Sequence, residues 1–259
     1  MSLVLLVLLL ISAAAGVAAD FNTDMNITWG DGRAIISNNG LNLQLSMDNI
    51  SGSGCESKAA FLYGRFELSS AQPAQDEVDL EFLGNLEGQP YKLNTNVFTE
   101  GKGNREQRFH LWFDPTGDFH NYSILWTPNQ TISYIDGIPI RGFMKANSTT
   151  QLPYVEKAMT LHTSLWDGSD WATDGGRIKV DWSKAPFIAH YRNLKIDACF
   201  PSESGYTCGN DAASWIEKSL SQQDLTLMHM IRDQYMIYNY CTDPKYKGTV
   251  SDECSREAG

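Results

Sequence analysis

The stretch Asp76-Glu77-Val78-Asp79-Leu80-Glu81-Phe82-Leu83-Gly84 alternates acidic and apolar side chains with a period of two. In a β-strand, successive side chains point to opposite faces, so the apolar residues would share one buried face. Glu77, Asp79 and Glu81 would share the other. Charge that alternates along a strand usually faces solvent, but three adjacent carboxylates without an interspersed lysine repel one another. The stretch therefore predicts a strand of a half-buried sheet whose acidic face is a candidate catalytic surface.

The sequence on both sides of this strand predicts more short strands. Turn signals rich in Gly, Asn and Asp recur at short intervals, and between them lie period-two runs such as residues 41–46. An Asp136-Gly137 turn is typical of a hairpin. A helical pattern occurs only at about 219–233, where Ser221 and Asp224 resemble a capping box, and a last strand follows at 235–240. We predict an all-β, concanavalin-like β-jelly-roll sandwich with a short C-terminal helix and strand extension.

Residues 1–19 have the features of a signal peptide. They lack Lys and Arg, and an aliphatic run is followed by small residues up to Ala19. A membrane anchor is the alternative, but the run falls short of the ~20 strongly apolar residues that a span prefers. Five N-x-S/T sequons are candidate glycan sites: Asn26, Asn49, Asn121, Asn129 and Asn147.

The charge of the chain narrows its possible partners. A formal net charge of −11 disfavours binding to nucleic acid or to an anionic membrane, because phosphate contacts need clustered Lys and Arg. The five histidines have no metal-ligand spacing and no evident nucleophile partner, so we interpret all of them as structural. The sequence predicts no metal and no cofactor, and a monomer is the default.

Five cysteines are present, and four of them lie close to one another in pairs near the C-terminus. In a secreted chain, this spacing favours the disulfides Cys199–Cys208 and Cys241–Cys254, although other pairings stay open. Cys55 would then be a buried free thiol.

The spacing of the acidic residues is compatible with retaining glycosidase chemistry. The Cα atoms of Glu77 and Glu81 would lie ~13 Å apart along a strand. On a concave sheet their side chains could lean together until the carboxyl groups are ~5–5.5 Å apart, the separation of a retaining pair. Asp79 between them would hold the nucleophile by a hydrogen bond and couple the titration of the group.

Longer motifs make the chain resemble the xyloglucan endotransglucosylase/hydrolases, plant members of glycoside hydrolase family 16. The acidic stretch from Gln75 to Gly84 resembles the signature of that family. The resemblance continues through ITWGDGRA at 27–34, TNVFTEGKGNREQRFHLWFDPTGDFHNYSILW at 95–126, DGIPIR at 136–141, SLWDGSDWATDGG at 164–176, DWSKAPF at 181–187 and YMIYNYCTD at 235–243.

The resemblance implies a catalytic jelly-roll at 20–200 and a disulfide-stapled extension at 201–259. It implies that Glu77 is the nucleophile, Glu81 the acid/base and Asp79 the assisting carboxylate. Implied sugar contacts are Glu81, Asn94, Thr95, Asn96, Asn104, Arg105, Glu106, Arg108, Asp170, Trp171 and Gly175. Trp166 and Trp171 are candidate platforms for sugar rings, whereas Trp29, Trp112, Trp126, Trp182 and Trp215 are assigned to packing.

The activity implied is cleavage and religation of the β-1,4-glucan backbone of xyloglucan. The donor would be the polysaccharide, and the acceptor a xyloglucan oligo- or polysaccharide. The protein would be secreted and would act in the cell wall and apoplast, with no membrane attachment after removal of the signal peptide.

The chain also departs from the pattern of the family. A strand–turn–strand segment that precedes the catalytic strand is missing after Glu67, and Pro244 replaces a common basic residue. The missing segment would subtract part of the sugar-binding surface and leave backbone groups of its neighbours without partners. One alternative function is therefore a non-catalytic or impaired xyloglucan-binding variant. Another is an unstable product of altered splicing or gene prediction.

Overall fold

The computed structural model describes residues 19–66, 76–84, 88–145, 153–172, 174–246 and Cys254. The predicted signal peptide lies almost wholly outside these residues. Within them the chain forms two α-helices, α1 Phe21–Asp24 and α2 Gln222–Tyr235. The strands are β1 Met25–Trp29, β2 Ala34–Ser37, β3 Asn42–Met47, β4 Ser53–Ser57, β5 Gly64–Phe66, β6 Glu77–Leu83, β7 Lys92–Phe98, β8 Gln107–His110, β9 Tyr122–Trp126, β10 Gln130–Ile135, β11 Ile138–Met144, β12 His162–Leu165, β13 Phe187–Arg192, β14 Ile196–Ser202, β15 Gly205–Cys208 and β16 Met236–Asn239.

These strands pair antiparallel throughout the described chain. One sheet has the order β11-β10-β9-β5-β14-β15, and a second has the order β16-β8-β7-β6. Two three-stranded sheets have the orders β1-β4-β12 and β13-β3-β2. All four sheets contribute side chains to one apolar core. The predicted all-β sandwich is confirmed.

The core joins the sheet that carries the acidic strand to the six-stranded sheet. Leu93 and Phe109 from the first sheet and Ile132 and Phe143 from the second are at most 1 % exposed. Arg141 on β11 crosses between the layers and donates to the backbone carbonyl of Thr95 at 3.1 Å. The acidic strand therefore lies on a packed base rather than on a surface flap.

The turn and the helix cap predicted from the sequence are both present in the backbone. Asp136 and Gly137 both have positive φ, 50° and 78°, as the tight turn between β10 and β11 requires. Ser221 caps α2, and its capping box with Asp224 is present. The helix begins at Gln222 rather than near 219, because the N-cap residue itself is not helical.

The predicted disulfides Cys199–Cys208 and Cys241–Cys254 are both present, and Cys55 is a buried free cysteine. Among the tryptophans assigned to packing, Trp126 and Trp215 are buried. Trp29 is 41 % exposed, so the assignment to the core is wrong for this residue. None of the described helices is long and apolar enough to cross a membrane.

Within the described residues, the sheets β16-β8-β7-β6 and β1-β4-β12 are separate. Val78 on β6 and Leu161 beside β12 line one apolar crevice together with Ile124 of the six-stranded sheet, so both face the core. Phe61 pairs with Met159, whereas β5, three residues later, joins the six-stranded sheet. The segment at 61–66 thus crosses from one layer to the other.

Candidate active site

Strand β6 is positioned by its pairing with β7. The two strands are in register from Glu77 opposite Phe98 to Leu83 opposite Lys92. Val78 and Leu80 are buried in the core, so the alternation directs the three carboxylates to the other face, as predicted. Phe82 differs from the prediction, because it is 41 % exposed and packs edge-on against Tyr122.

Asp79 is the most deeply buried of the three carboxylates, with 6 % exposure. Burial raises its pKa well above the usual range, and a hydrogen bond with Glu77 and the charges of Glu77 and Glu81 act in the same direction. Arg141 opposes this shift only in part. These effects favour the protonated form of Asp79, which can donate its proton in the hydrogen bond to Glu77.

Glu81 stands in a more polar setting. Burial raises its pKa, while the amide of Asn94, which donates to its Oε2 at 2.7 Å, partly lowers it. Asn94 lies directly opposite Glu81 on β7, and Arg108 lies opposite Asn94 on β8. The Arg108 guanidinium donates weakly to the Asn94 amide at 3.4 Å and lies 5.5 Å from the ring centre of Tyr238. One polar row thus runs across four strands from Glu81 to the C-terminal extension.

Asp76, at the start of the acidic stretch, was given no role by the sequence. Its buried carboxylate accepts three backbone N–H bonds: from Glu100 at 2.8 Å, Glu156 at 2.7 Å and Lys157 at 2.9 Å. These donors belong to two separate loops. Asp76 therefore fixes the start of the strand that carries the carboxylates.

Two residues expected to contact sugar face away from the acidic surface. Thr95 is 1 % exposed, and its hydroxyl bonds the Gln107 carbonyl and the Arg141 guanidinium. Arg105 is 7 % exposed, and its guanidinium donates to the carbonyls of Val97 and Lys102. Both side chains make these contacts inside the protein, and a sugar contact at these two positions stays a prediction. Thr95 sits one position from Asn94 on β7, so strand alternation directs its side chain to the core.

Asn96 and Asn104 support the site from neighbouring positions. Asn96 lies opposite Asp79, and its side-chain oxygen accepts from the backbone N–H groups of Val97 and Arg105. Asn104 is exposed, has a positive φ of 64°, and accepts a hydrogen bond from the Tyr246 hydroxyl at 3.2 Å.

The C-terminal extension reaches the same edge of the sheet. The backbone N–H of Tyr240 donates to the carbonyl of Glu106 at 3.0 Å, and Lys245 lies over the ring of Tyr246. A lysine cation therefore stands next to Asn104, one residue after Pro244.

Asp170, Trp171 and Gly175 are brought together by the loop after β12. A Cβ atom on Gly176 would lie 2.3 Å from the Asp170 carbonyl oxygen, so the chain folds closely back on itself there. Trp171 is 49 % exposed and packs at 6.2 Å from Trp166, which is 47 % exposed. Asp170 forms an exposed ion pair with Lys179 at 2.8 Å. The two indoles form an exposed aromatic surface.

An antiparallel sandwich that carries three carboxylates, an amide–guanidinium row and exposed indoles has the side chains typical of a carbohydrate-active protein. Models of known families agree with this class. Residues 21–70 and 66–184 match the glycosyl hydrolases family 16, and residues 210–254 match the xyloglucan endo-transglycosylase C-terminus. The chain belongs to glycosyl hydrolase family 16.

Individual relatives support the same family. Xyloglucan endotransglucosylase/hydrolase protein 24 of Arabidopsis thaliana is 47 % identical, over 91 % of this chain and 90 % of the relative. Xyloglucan endotransglucosylase protein 7 of Diospyros kaki is 44 % identical, over 91 % and 97 %. The solved structure of apo Crh5 transglycosylase has a TM-score of 0.55 at 21 % identity and covers 74 % of this chain and 92 % of that one. This last likeness bears on the fold alone, and the predicted jelly-roll is confirmed.

Proposed function

We propose that this chain cleaves and religates the β-1,4-glucan backbone of xyloglucan by a retaining mechanism. The observation that carries the proposal is the acidic face of β6, where Asp79 is buried and hydrogen-bonded to Glu77 while Glu81 is held by Asn94. The names of relatives that are 44–47 % identical supply the substrate.

In the first step, the Glu77 carboxylate attacks the anomeric carbon of a backbone glucose. The bond to the leaving chain breaks, and Glu81 donates its proton to the departing oxygen. The glucan is then covalently attached to Glu77. In the second step, a hydroxyl of the acceptor gives its proton to Glu81 and attacks the same carbon, which releases Glu77 as a carboxylate.

The ionisation of the carboxylates supports these roles. Burial raises the pKa of Glu81, which favours the protonated form that an acid needs before the first step. A protonated Asp79 donates to Glu77, which keeps the negative charge on the nucleophile and holds its orientation.

The row from Asn94 through Arg108 to the C-terminal extension is the proposed acceptor side. A well-held acceptor has a high effective concentration, which favours transfer over hydrolysis. The exposed indoles of Trp166 and Trp171 lie after β12 and would form part of the donor side. We propose secretion and action in the plant cell wall, with a monomer as the working unit.

The alternative of a non-catalytic variant rests on the missing segment. The two matches to the family model meet at residues 66–70, next to the predicted gap. The alignment with the Arabidopsis relative is also longer than the matched part of this chain, so some residues of the relative have no counterpart here. The strand that carries the carboxylates is held by its register with β7 and by Asp76, so we favour a catalytic role.

The test is to express the mature chain and measure transfer from xyloglucan onto labelled xyloglucan oligosaccharides. A 2-fluoro-substituted substrate analogue should leave a glycosyl group on the peptide that contains Glu77, detected by mass spectrometry. Glu77→Ala should abolish both signals, whereas Glu203→Gln, which changes an exposed carboxylate, should leave them unchanged. Oligosaccharide binding without transfer or labelling would refute the catalytic proposal.

A further inference from the structure

Trp29 lies against two glycines, Gly54 on β4 and Gly52 just before it. A Cβ atom on Gly54 would lie 2.2 Å from the indole Nε1, and one on Gly52 would lie 3.0 Å from the far edge of the ring. Because neither residue has a side chain, the indole can rest directly on the strand backbone, and 41 % of Trp29 stays exposed to solvent. The glycines thus create a flat aromatic surface that is supported from below.

A polar pair stands next to this surface. Glu56 is two residues after Gly54 on β4, so the two share a face. His162, opposite Glu56 on β12, places its Nε2 at 3.1 Å from the Glu56 carboxylate and 2.7 Å from the Thr160 hydroxyl. The side chains of Glu56 and His162 are 29 % and 16 % exposed. They can therefore exchange hydrogen bonds with a ligand that lies on the indole.

This face points to the same side of the molecule as the carboxylates. Cys55, between Gly54 and Glu56, is buried in the core that also buries Val78 and Leu80 of β6. Residues that alternate with Cys55 must then point outward, as Glu77 and Glu81 do on β6. Val78 of β6 and Leu161, which directly precedes β12, line one crevice with Ile124 of the six-stranded sheet, so β6 and β12 lie in the layer opposite that sheet.

The platform also adjoins the other exposed indoles. A Cβ atom on Gly52 would lie 2.0 Å from the carbonyl oxygen of Leu165, the residue that directly precedes Trp166. Trp29, Trp166 and Trp171 are all between 41 % and 49 % exposed. The aromatic surface of the loop after β12 therefore extends across β12 onto β4 and β1.

We infer that Trp29, with the Glu56–His162 pair beside it, forms a subsite for one neutral pyranose unit of the glucan chain, beyond Trp166 and Trp171. This inference rests on the proposed function. The apolar face of the sugar ring stacks on the indole, and a sugar hydroxyl donates to the Glu56 carboxylate, which His162 orients. The subsite binds substrate and transition state equally, because it lies away from the bond that is cleaved.

The test measures affinity for xyloglucan oligosaccharides of increasing backbone length by calorimetry, on the full mature chain. Trp29→Ala should weaken binding of the longer oligosaccharides roughly tenfold and leave the shortest unchanged. Gly54→Ala should have a similar effect, because its methyl group would displace the indole. Trp29→Phe should restore part of the affinity, and Ile35→Ala, at an exposed position on β2, is the matched control.

The kinetic result should agree with the binding result. Trp29→Ala should raise KM for long substrates and leave kcat unchanged, as expected for uniform binding. Equal affinities of wild type and Trp29→Ala for oligosaccharides of every length would refute the subsite but not the proposed function. If Trp29→Ala fails to fold, equal affinities in Trp29→Phe and Gly54→Ala would refute it too. If wild type binds no xyloglucan oligosaccharide, the proposed function and the subsite both fail.

Discussion

Replacing Asp76 by alanine should destabilise the chain more than any change to the catalytic carboxylates. The carboxylate is 4 % exposed and accepts three backbone N–H bonds of 2.7–2.9 Å, from residues 100, 156 and 157. Its loss leaves three backbone donors without their acceptor at the start of β6. The two loops would then lose their common attachment.

The size of the effect follows from these bonds. Hydrogen bonds to a charged group contribute about 1.5–3 kcal/mol each, and the three share one acceptor, so we expect a loss of about 3–6 kcal/mol in the free energy of unfolding. That is a large part of the ~5–15 kcal/mol typical of a domain. Asp76→Asn keeps a single acceptor oxygen and should cost roughly half as much.

Urea denaturation, followed by tryptophan fluorescence, measures both variants against wild type. Asp233→Ala, at an exposed aspartate on α2, is the control and should change the free energy of unfolding by less than about 0.5 kcal/mol. A loss below ~1 kcal/mol in Asp76→Ala would refute the reasoning, as would an Asp76→Asn variant that is less stable than the alanine variant.

Three further changes test the site and the helix. The raised pKa of Asp79 means that the folded chain binds its proton more tightly than the unfolded chain, so wild type loses stability as pH rises above the unfolded pKa. Asp79→Asn stays neutral, and its free energy of unfolding relative to wild type should therefore increase from about pH 4 to pH 8 in urea titrations, while transferase activity falls. Asn94→Ala removes a hydrogen bond that lowers the pKa of Glu81, so the alkaline limb of the kcat/KM profile should move to higher pH. Ser221→Ala removes the cap of α2 and should cost about 1 kcal/mol by thermal or urea denaturation.

The sequence predicted those parts of the site that depend on local periodicity. A period of two on β6 was enough to direct Glu77, Asp79 and Glu81 to one face, because that face depends on backbone geometry alone. The same rule applied to β7 would have directed Thr95 to the core, away from Asn94. The resemblance implied sugar contacts at consecutive residues of β7, although successive side chains of a strand point to opposite faces.

Other features could not be read from the sequence because they depend on distant contacts. Asp76 acquires its role from residues 100, 156 and 157, and the row from Glu81 to Tyr238 depends on the register of four strands. The exposure of Trp29 depends on glycines more than twenty residues away, for which the pair Gly52 and Gly54 was the available signal. Such residues can be identified from the sequence only after the strand pairing is known.

The separation of the acidic strand from the sheet that carries Trp29, seen within the described residues, bears on the strength of sugar binding more than on the chemistry. The carboxylates are held from the β7 side by a continuous register and at the start of the strand by Asp76. Neither support involves the sheet that carries Trp29 and Glu56. Sugar units bound at that sheet are therefore held by side chains that do not orient the carboxylates. Interactions made equally in the ground and transition states appear in KM rather than in kcat. The proposed enzyme should therefore retain its catalytic step and depend strongly on the length of its donor.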